Sequence, residues 1–222
     1  MLMQSAVNAR QFHPAVAAAA PGEREAVDMM GVVMTFKRNA EIYGENEAAD
    51  YLYKVISGAV RTYKVLADGR RQIGSFYLPG DVFGLEVGSE HAFSAEAVTD
   101  TRVLVTKRSV LVSRAERDAS AARQLWEVAA RELRRAQEHA LALIKTAEER
   151  VAGFLMDMAK RSSQPDRIDL PMSRQDIADY LGLTIETVSR TFTHLEAIAA
   201  IDLPSSRRVV LRNRAALSRL TG

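Results

Sequence analysis

The residues best suited to chemistry lie in one short stretch, Ser173 to Leu195. Arg190 offers paired donors that match guanine O6 and N7, and Glu186 offers an acceptor for cytosine N4. Ser189 is small enough to reach a base edge or to leave room for a thymine methyl, which Ile185 also suits. At helical spacing these four share one side, while Val188, Phe192 and Leu195 share the other at i, i+4, i+7. Arg174 and Gln175, with the hydroxyls of Thr184 and Thr187, are placed for phosphate contacts that set register, and Arg207 and Arg208 can lie on a neighbouring phosphate strand. The chemistry implied is the reading of base edges rather than catalysis. A simpler account competes for Glu186 and Arg190: an intrahelical ion pair, worth a few tenths of a kcal/mol.

The elements that must position these residues are legible around them. Ser173 is a helix cap, with Asp176 placed to complement the helix N-terminus. Ile177, Ala178 and Leu181 give that helix an inner face. Gly182 stands where a tight turn needs a permissive residue, Leu183 plugs the corner, and Thr184 caps the next helix. This spacing predicts a helix-turn-helix with its second helix outward. Ile201 to Pro204 and Arg207 to Arg212 read as a small hairpin, a basic wing, because from Arg207 onward there are five arginines and no acid.

Upstream, from about Val112 to Ala147, glycine and proline vanish. Apolar residues recur in steps of three and four: Ala115, Ala119, Ala122, Trp126, Ala129, Leu133, Ala136, Ala140, Leu143. The 3.5-residue period and the charged remaining faces favour a helix–helix partner and hence a dimer, rather than packing on the chain's own strands. Trp126, Leu133 and Leu143 then supply much of the apolar area. Thr146 with Glu149 is a capping box, so a hinge is expected between Ile144 and Thr146. Before this helix, Val32 to Val105 alternates short apolar runs with glycine. Asp68-Gly69 predicts a type I′ hairpin and Pro79-Gly80 a type II turn, the marks of an antiparallel β roll.

Bulk properties exclude several classes. The 222 residues carry 47% hydrophobic and 26% charged residues, and a net charge of only +2. That suits a globular chain with a core and permits a nucleic-acid ligand without demanding one. With no cysteine there is no disulfide, thiolate-held iron–sulfur cluster or cysteine nucleophile. No apolar run approaches a membrane span, so a cytoplasmic location is expected. No phosphate loop, metal spacing or nucleophile elbow is present, so no enzyme is expected. The first 22 residues read as a loose arm whose Ala15 to Ala20 run becomes helical on packing.

The order β roll, long dimer helix, winged helix-turn-helix resembles the cyclic-AMP-receptor and fumarate–nitrate-regulator family of bacterial transcription factors, over roughly residues 25–220. The segment Leu170 to Phe192 is similar to the FixK branch, rhizobial activators of microaerobic respiration and nitrogen fixation. The resemblance implies an α+β fold divided as arm 1–22, β-roll domain 23–110, dimerisation helix 111–145 and DNA-binding domain 146–222. It implies a TTGAT-N4-ATCAA site, with Arg190 on guanine and Glu186 on the paired cytosine. The partners implied are DNA, a second copy of the chain and RNA polymerase, although no polymerase-contacting motif is readable. In the family's cyclic-nucleotide binders a glutamate holds the ribose and an Arg-Ser pair the phosphate. Here the matching stretches are Gly80–Gly84 and Ala92–Ala95. Asp81 could still accept from a hydroxyl, but Phe93 replaces the arginine, and a buried phosphate without a cation is costly. No cofactor is expected: neither cyclic AMP nor an iron–sulfur cluster. Haem ligation by His13, His91, His139 or His194 is set against an ordinary surface role, which is the expectation. A β roll switched by haem, nitric oxide or another small molecule is the rival reading.

Overall fold

A computed structural model describes residues 29–162, 164 and 166–221; the expected arm and His13 lie outside them. The first half is antiparallel. Strands β1 (Val32–Phe36), β8 (Thr101–Lys107), β3 (Tyr51–Ser57) and β6 (Val82–Phe83) form one sheet in that order. Strands β2 (Glu41–Tyr43), β7 (Ser94–Ala97), β4 (Val60–Val65) and β5 (Arg71–Tyr77) form the other. The aromatic rings of Tyr43, Tyr53, Tyr77 and Phe83 pack in the roll's core, with Tyr53 and Phe83 stacked at 5.1 Å. The β-roll expectation holds.

One turn differs from its predicted type. Gly69 has φ +83°, but Asp68 is not among the residues with positive φ. Gly69 N donates to Leu66 O at 2.9 Å, and Leu66 N donates to Arg70 O at 2.8 Å. This is a three-residue loop ending in a left-handed glycine, which needs positive φ only once, unlike a type I′ turn. Pro79-Gly80 does form a type II turn: Asp81 N donates to Leu78 O at 2.9 Å and Gly80 has φ +93°.

The predicted single long helix is two. Helix α1 spans Arg108–Arg117, and α2 spans Ala119–Ala142. Asp118 between them is extended, and its carboxylate accepts from Ser120 N at 2.8 Å. A short side chain that caps the following turn outcompetes helix continuation there. Ala115 therefore belongs to α1, and the seam proper runs along α2. The hinge is where the capping box placed it. Helix α3 (Ala147–Arg161) starts afresh, with Thr146 Oγ1 accepting from Glu149 N at 3.3 Å and Glu149 accepting from Thr146 N at 2.7 Å.

Beyond α3 lie β9 (Arg167–Asp169), α4 (Arg174–Leu181), α5 (Ile185–Ala197), β10 (Ile201–Ser205), β11 (Arg208–Leu211) and α6 (Arg214–Thr221). Strands β10, β11 and β9 form a three-stranded sheet, so the predicted hairpin is present and gains a third strand. The largest core cluster joins this part to the β roll: Ile73 and Phe76 of β5 pack with residues of α3, α4 and α5. Phe76 meets Tyr180 at 5.3 Å and Phe154 at 6.4 Å.

Asp81 fastens the same junction. Its Oδ1 accepts from Arg135 of α2 at 2.7 Å, and its Oδ2 accepts from Arg161 of α3 at 2.6 Å and from Leu78 N at 2.8 Å. The carboxylate expected to be open to a ligand hydroxyl is thus fully engaged, because two guanidinium groups from the following helices reach it first. Replacing Asp81 with alanine takes the shared partner from two partly buried arginines, leaving Arg135 with Glu132 and Arg161 with Asp157 and Phe76 O, and should cost about 1–3 kcal/mol, measured by denaturant unfolding.

Candidate nucleic-acid interface

Helix α4 begins at Ser173, whose Oγ accepts from Asp176 N at 3.1 Å while Asp176 Oδ2 accepts from Ser173 N at 3.0 Å. It ends at Gly182, left-handed at φ 63° and ψ 41°. Any residue with a Cβ is strained in that conformation, which is why the corner carries glycine. Leu183 packs half-buried against the core. Thr184 then caps α5, its Oγ1 accepting from Thr187 N at 3.2 Å. The inner face of α5 is Val188, Phe192 and Leu195, all buried. Ile185, Glu186, Ser189 and Arg190 are exposed together on the outer face. Among the described residues no ion pair joins Glu186 to Arg190. The intrahelical pair that would have accounted for them is not made.

The expected phosphate-contact residues are all engaged within the chain. Gln175 donates to Asp179 at 2.6 Å. The hydroxyls of Thr184 and Thr187 are 3.0 Å apart. Arg207 donates to Pro171 O at 3.1 Å and Arg208 to Asp169 at 2.9 Å. These four arrangements lie at the exposed surface, where exchanging such a partner costs little. Arg174 differs. Its guanidinium lies 3.3 Å over the Phe192 ring, with Nη1 buried and without a hydrogen-bond partner. Burial pushes its pKa down to about 10, so it stays charged at neutral pH.

Several arginines that shape this interface carried no sequence signal strong enough to single them out. Arg150 of α3 donates to Lys145 O at 2.8 Å, to Leu181 O at 2.8 Å and to Leu143 O, tying the hinge to the corner of the helix-turn-helix. Arg61 of β4 and Arg71 of β5 reach Asp176 at 3.0 Å and 2.6 Å. Burial raises the pKa of the Asp176 carboxyl. Hydrogen bonds from Ser173 and the charges of Arg61 and Arg71 outweigh that and hold it below its ordinary value. Strand alternation puts Arg61 on one face with Tyr63, but only the fold shows that this face packs against the junction core.

A cleft of about 600 Å³ separates the β roll from α2. Phe93 lies in it against Gly74, where an added Cβ would come within 3.1 Å of the ring. Arg135 lines the cleft but is committed to Asp81 and, at 2.8 Å, to Glu132. With Asp81 also taken, the residues present do not fit a cyclic nucleotide's ribose and phosphate.

The surface role expected of the histidines is wrong for two of them. His91 is buried and stacks on Tyr43 at 3.6 Å, and His139 stacks on Tyr180 at 4.1 Å across the α2–α4 junction. Aromatic packing takes up rings that the sequence showed only as scattered. His194 is exposed beside Glu148 at 3.5 Å.

Comparison with known proteins agrees with this layout. The cyclic nucleotide-binding domain model matches residues 33–118, and the Crp-like helix-turn-helix domain model matches residues 149–220. The nitrogen fixation regulation protein FixK of Azorhizobium caulinodans is 54% identical over 202 residues, 88% of this chain and 82% of that protein. The chain belongs to the CRP/FNR family. It is thus a DNA-binding transcription regulator, and α4 and α5 lie within its Crp-like helix-turn-helix domain. FixK2 from Bradyrhizobium japonicum has a similar structure, with a TM-score of 0.84 and 50% identity over 87% of this chain and 98% of that one. The transcriptional activatory protein AadR of Rhodopseudomonas palustris is 40% identical over 79% of this chain and 76% of its own length. Among the described residues no helix is long and apolar enough to cross a membrane.

Burial holds His139 below its ordinary value of 6.5. The unfolded chain therefore takes up a proton first as pH falls, and stability is lost from about 6.5 downward to the folded value. Denaturant unfolding across this window should show that decline. His139→Phe, which keeps an aromatic ring on Tyr180, should flatten it, leaving the contribution of His91, whose pKa burial also lowers.

Proposed function

We propose that this chain is a homodimeric transcriptional activator that binds a TTGAT-N4-ATCAA palindrome without cyclic AMP or an iron–sulfur cluster. The observation that carries the reading is the outer face of α5, where Glu186, Ser189 and Arg190 stand exposed, with no ion pair between Glu186 and Arg190 among the described residues. In the major groove Arg190 makes the bidentate pair to guanine, Glu186 accepts from the paired cytosine, and Ile185 and Ser189 border the thymine methyl. Arg207, Arg208, Gln175, Thr184 and Thr187 exchange their surface partners for phosphates. Arg174 acts differently from the other phosphate candidates: it braces the recognition helix from beneath through Phe192. Microaerobic and nitrogen-fixation genes are the proposed targets, in line with relatives named for nitrogen fixation regulation, and RNA polymerase is the proposed protein partner.

A palindromic site calls for two copies related by a two-fold axis. The outward stripe of α2 supplies the contact. Trp126 is 74% exposed and Leu133 60%, with Ala122, Ala129, Ala136 and Ala140 between and beside them. Ile144, 83% exposed, continues the stripe. Leu143 sits at its edge, lining the cleft and lying within 3.5 Å of where a Cβ on Gly182 would be, so it contributes less than its heptad position suggests. Burying Trp126 and Leu133 is worth about 1.5–3 kcal/mol each.

Three measurements test this reading. Anisotropy titration of a TTGAT-N4-ATCAA duplex should give tight binding unchanged by cyclic AMP or haem; binding only with an added ligand contradicts effector independence. Arg190→Ala should cost about 1–3 kcal/mol per half-site and relax selection at the guanine; equal weakening on every sequence contradicts base reading. Leu133→Asp should shift sedimentation from dimer to monomer while circular dichroism stays helical. The cleft of about 600 Å³ favours a second reading, a ligand-switched regulator of the same fold. A Soret band or a ligand-dependent rise in affinity would select it.

A further inference from the structure

Base reading and phosphate contact leave one group of charges unexplained: two arginines of the β roll that reach into the helix-turn-helix. Arg61 is 8% exposed and divides its guanidinium between Glu96 of β7 at 2.8 Å and Asp176 of α4 at 3.0 Å. Arg71 donates to Asp176 at 2.6 Å and to Asp179 at 2.8 Å. The next residue, Gln72, donates to Tyr180 O at 3.3 Å. Asp176 itself is 4% exposed.

The two oxygens of Asp176 have different work. Oδ2 starts α4, accepting from Ser173 N at 3.0 Å and from Ser173 Oγ at 2.8 Å. Oδ1 receives both guanidinium groups from the β roll. One carboxylate thus fixes where α4 begins and where α4 sits on β4 and β5. Buried ion pairs add little net stability, because desolvation offsets attraction, but an unmatched buried charge is strongly disfavoured. The network therefore selects one orientation of α4 over its neighbours. Since α4 leads through Gly182 directly into α5, the recognition helix inherits that orientation. Ile185, Glu186, Ser189 and Arg190 remain exposed in it, so the β roll does not cover the reading face.

We propose that Arg61 and Arg71 are positioning residues for DNA recognition, locking α4, and through it α5, in the DNA-reading orientation with no effector bound. The proposal rests on the reading of α5 as the base-reading helix.

The pair Arg71–Asp179 allows a test, because Asp179 takes no part in capping α4. The variants are Arg71→Glu, Asp179→Arg, the double exchange, and the milder Asp179→Asn, all in the full-length chain. The first readout needs no DNA. The sequence has no cysteine, so spin labels at Val65→Cys and Ile198→Cys, two exposed positions on the β roll and just beyond α5, report the distance between the units. Dilution with unlabelled chain isolates distances within one protomer. The unsubstituted lock should give one narrow distribution, Arg71→Glu a broad one, and the double exchange a narrow one again. The second readout is affinity for the palindrome relative to a scrambled duplex. It should fall about tenfold in Arg71→Glu, less in Asp179→Asn, and return to within about threefold in the double exchange. Thermal melting identifies any variant that fails to fold, in which case Asp179→Asn decides. An unchanged distance in a folded Arg71→Glu overturns the proposal, as does tighter specific binding, which would make the contact inhibitory, or no rescue in the double exchange. If the unsubstituted chain does not select the palindrome, the base-reading proposal fails, while the distance measurement still decides the lock.

Discussion

Two carboxylates, Asp81 and Asp176, carry the geometry on which everything else depends. Each holds two guanidinium groups from other elements: Asp81 takes Arg135 and Arg161, and Asp176 takes Arg61 and Arg71. Around them Phe76, Phe154 and Tyr180 close an apolar junction. Apolar packing supplies the driving force but tolerates sliding; the charged pairs do not, because any slide strands a partly desolvated charge. The orientation of α5 relative to α2 follows from that combination.

The junction consumes the side chains that would otherwise face a ligand. Arg135 and Glu132 border the cleft yet are paired with each other, Arg135 also with Asp81, and Phe93 fills space against Gly74. The same residues that leave no fit for a cyclic nucleotide therefore hold the β roll to the DNA-binding part. Among the described residues, the outer face of α5 and the outward stripe of α2 are left exposed. One is rich in hydrogen-bonding groups and the other in apolar area, as expected for a nucleic-acid contact and a contact between copies respectively.

Most of this was legible in the sequence where the signal was local. Ser173, Gly182 and Thr184 mark the ends of α4 and α5 because caps and left-handed corners depend on a few adjacent residues. The Thr146–Glu149 box located the hinge for the same reason. Local reasoning fell short where a choice lay between two acceptable geometries. Asp68-Gly69 suits two hairpin loops, and Asp118 was read as a position within a helix although it ends one helix and starts another. Contacts distant in sequence left almost no trace: nothing near Arg61 points to Asp176, 115 positions away, nor near His139 to Tyr180. The exposed face of α5 was legible because helical spacing separates Ile185, Glu186, Ser189 and Arg190 from buried Val188, Phe192 and Leu195. The residues that tie α4 to the β roll were not, because their contacts follow from tertiary packing.

On the proposed reading, α5 reads a guanine in each half-site through Arg190 in the major groove. Methylation interference at guanine N7 tests it most directly, since a methyl group there blocks the bidentate contact without altering Watson–Crick pairing. The account predicts that methylating the guanine of either TTGAT half-site removes that duplex from the bound fraction. Methylation of guanines in the N4 spacer should have no effect. Recovery of half-site-methylated duplexes in the bound fraction at the same level as unmethylated ones would contradict it.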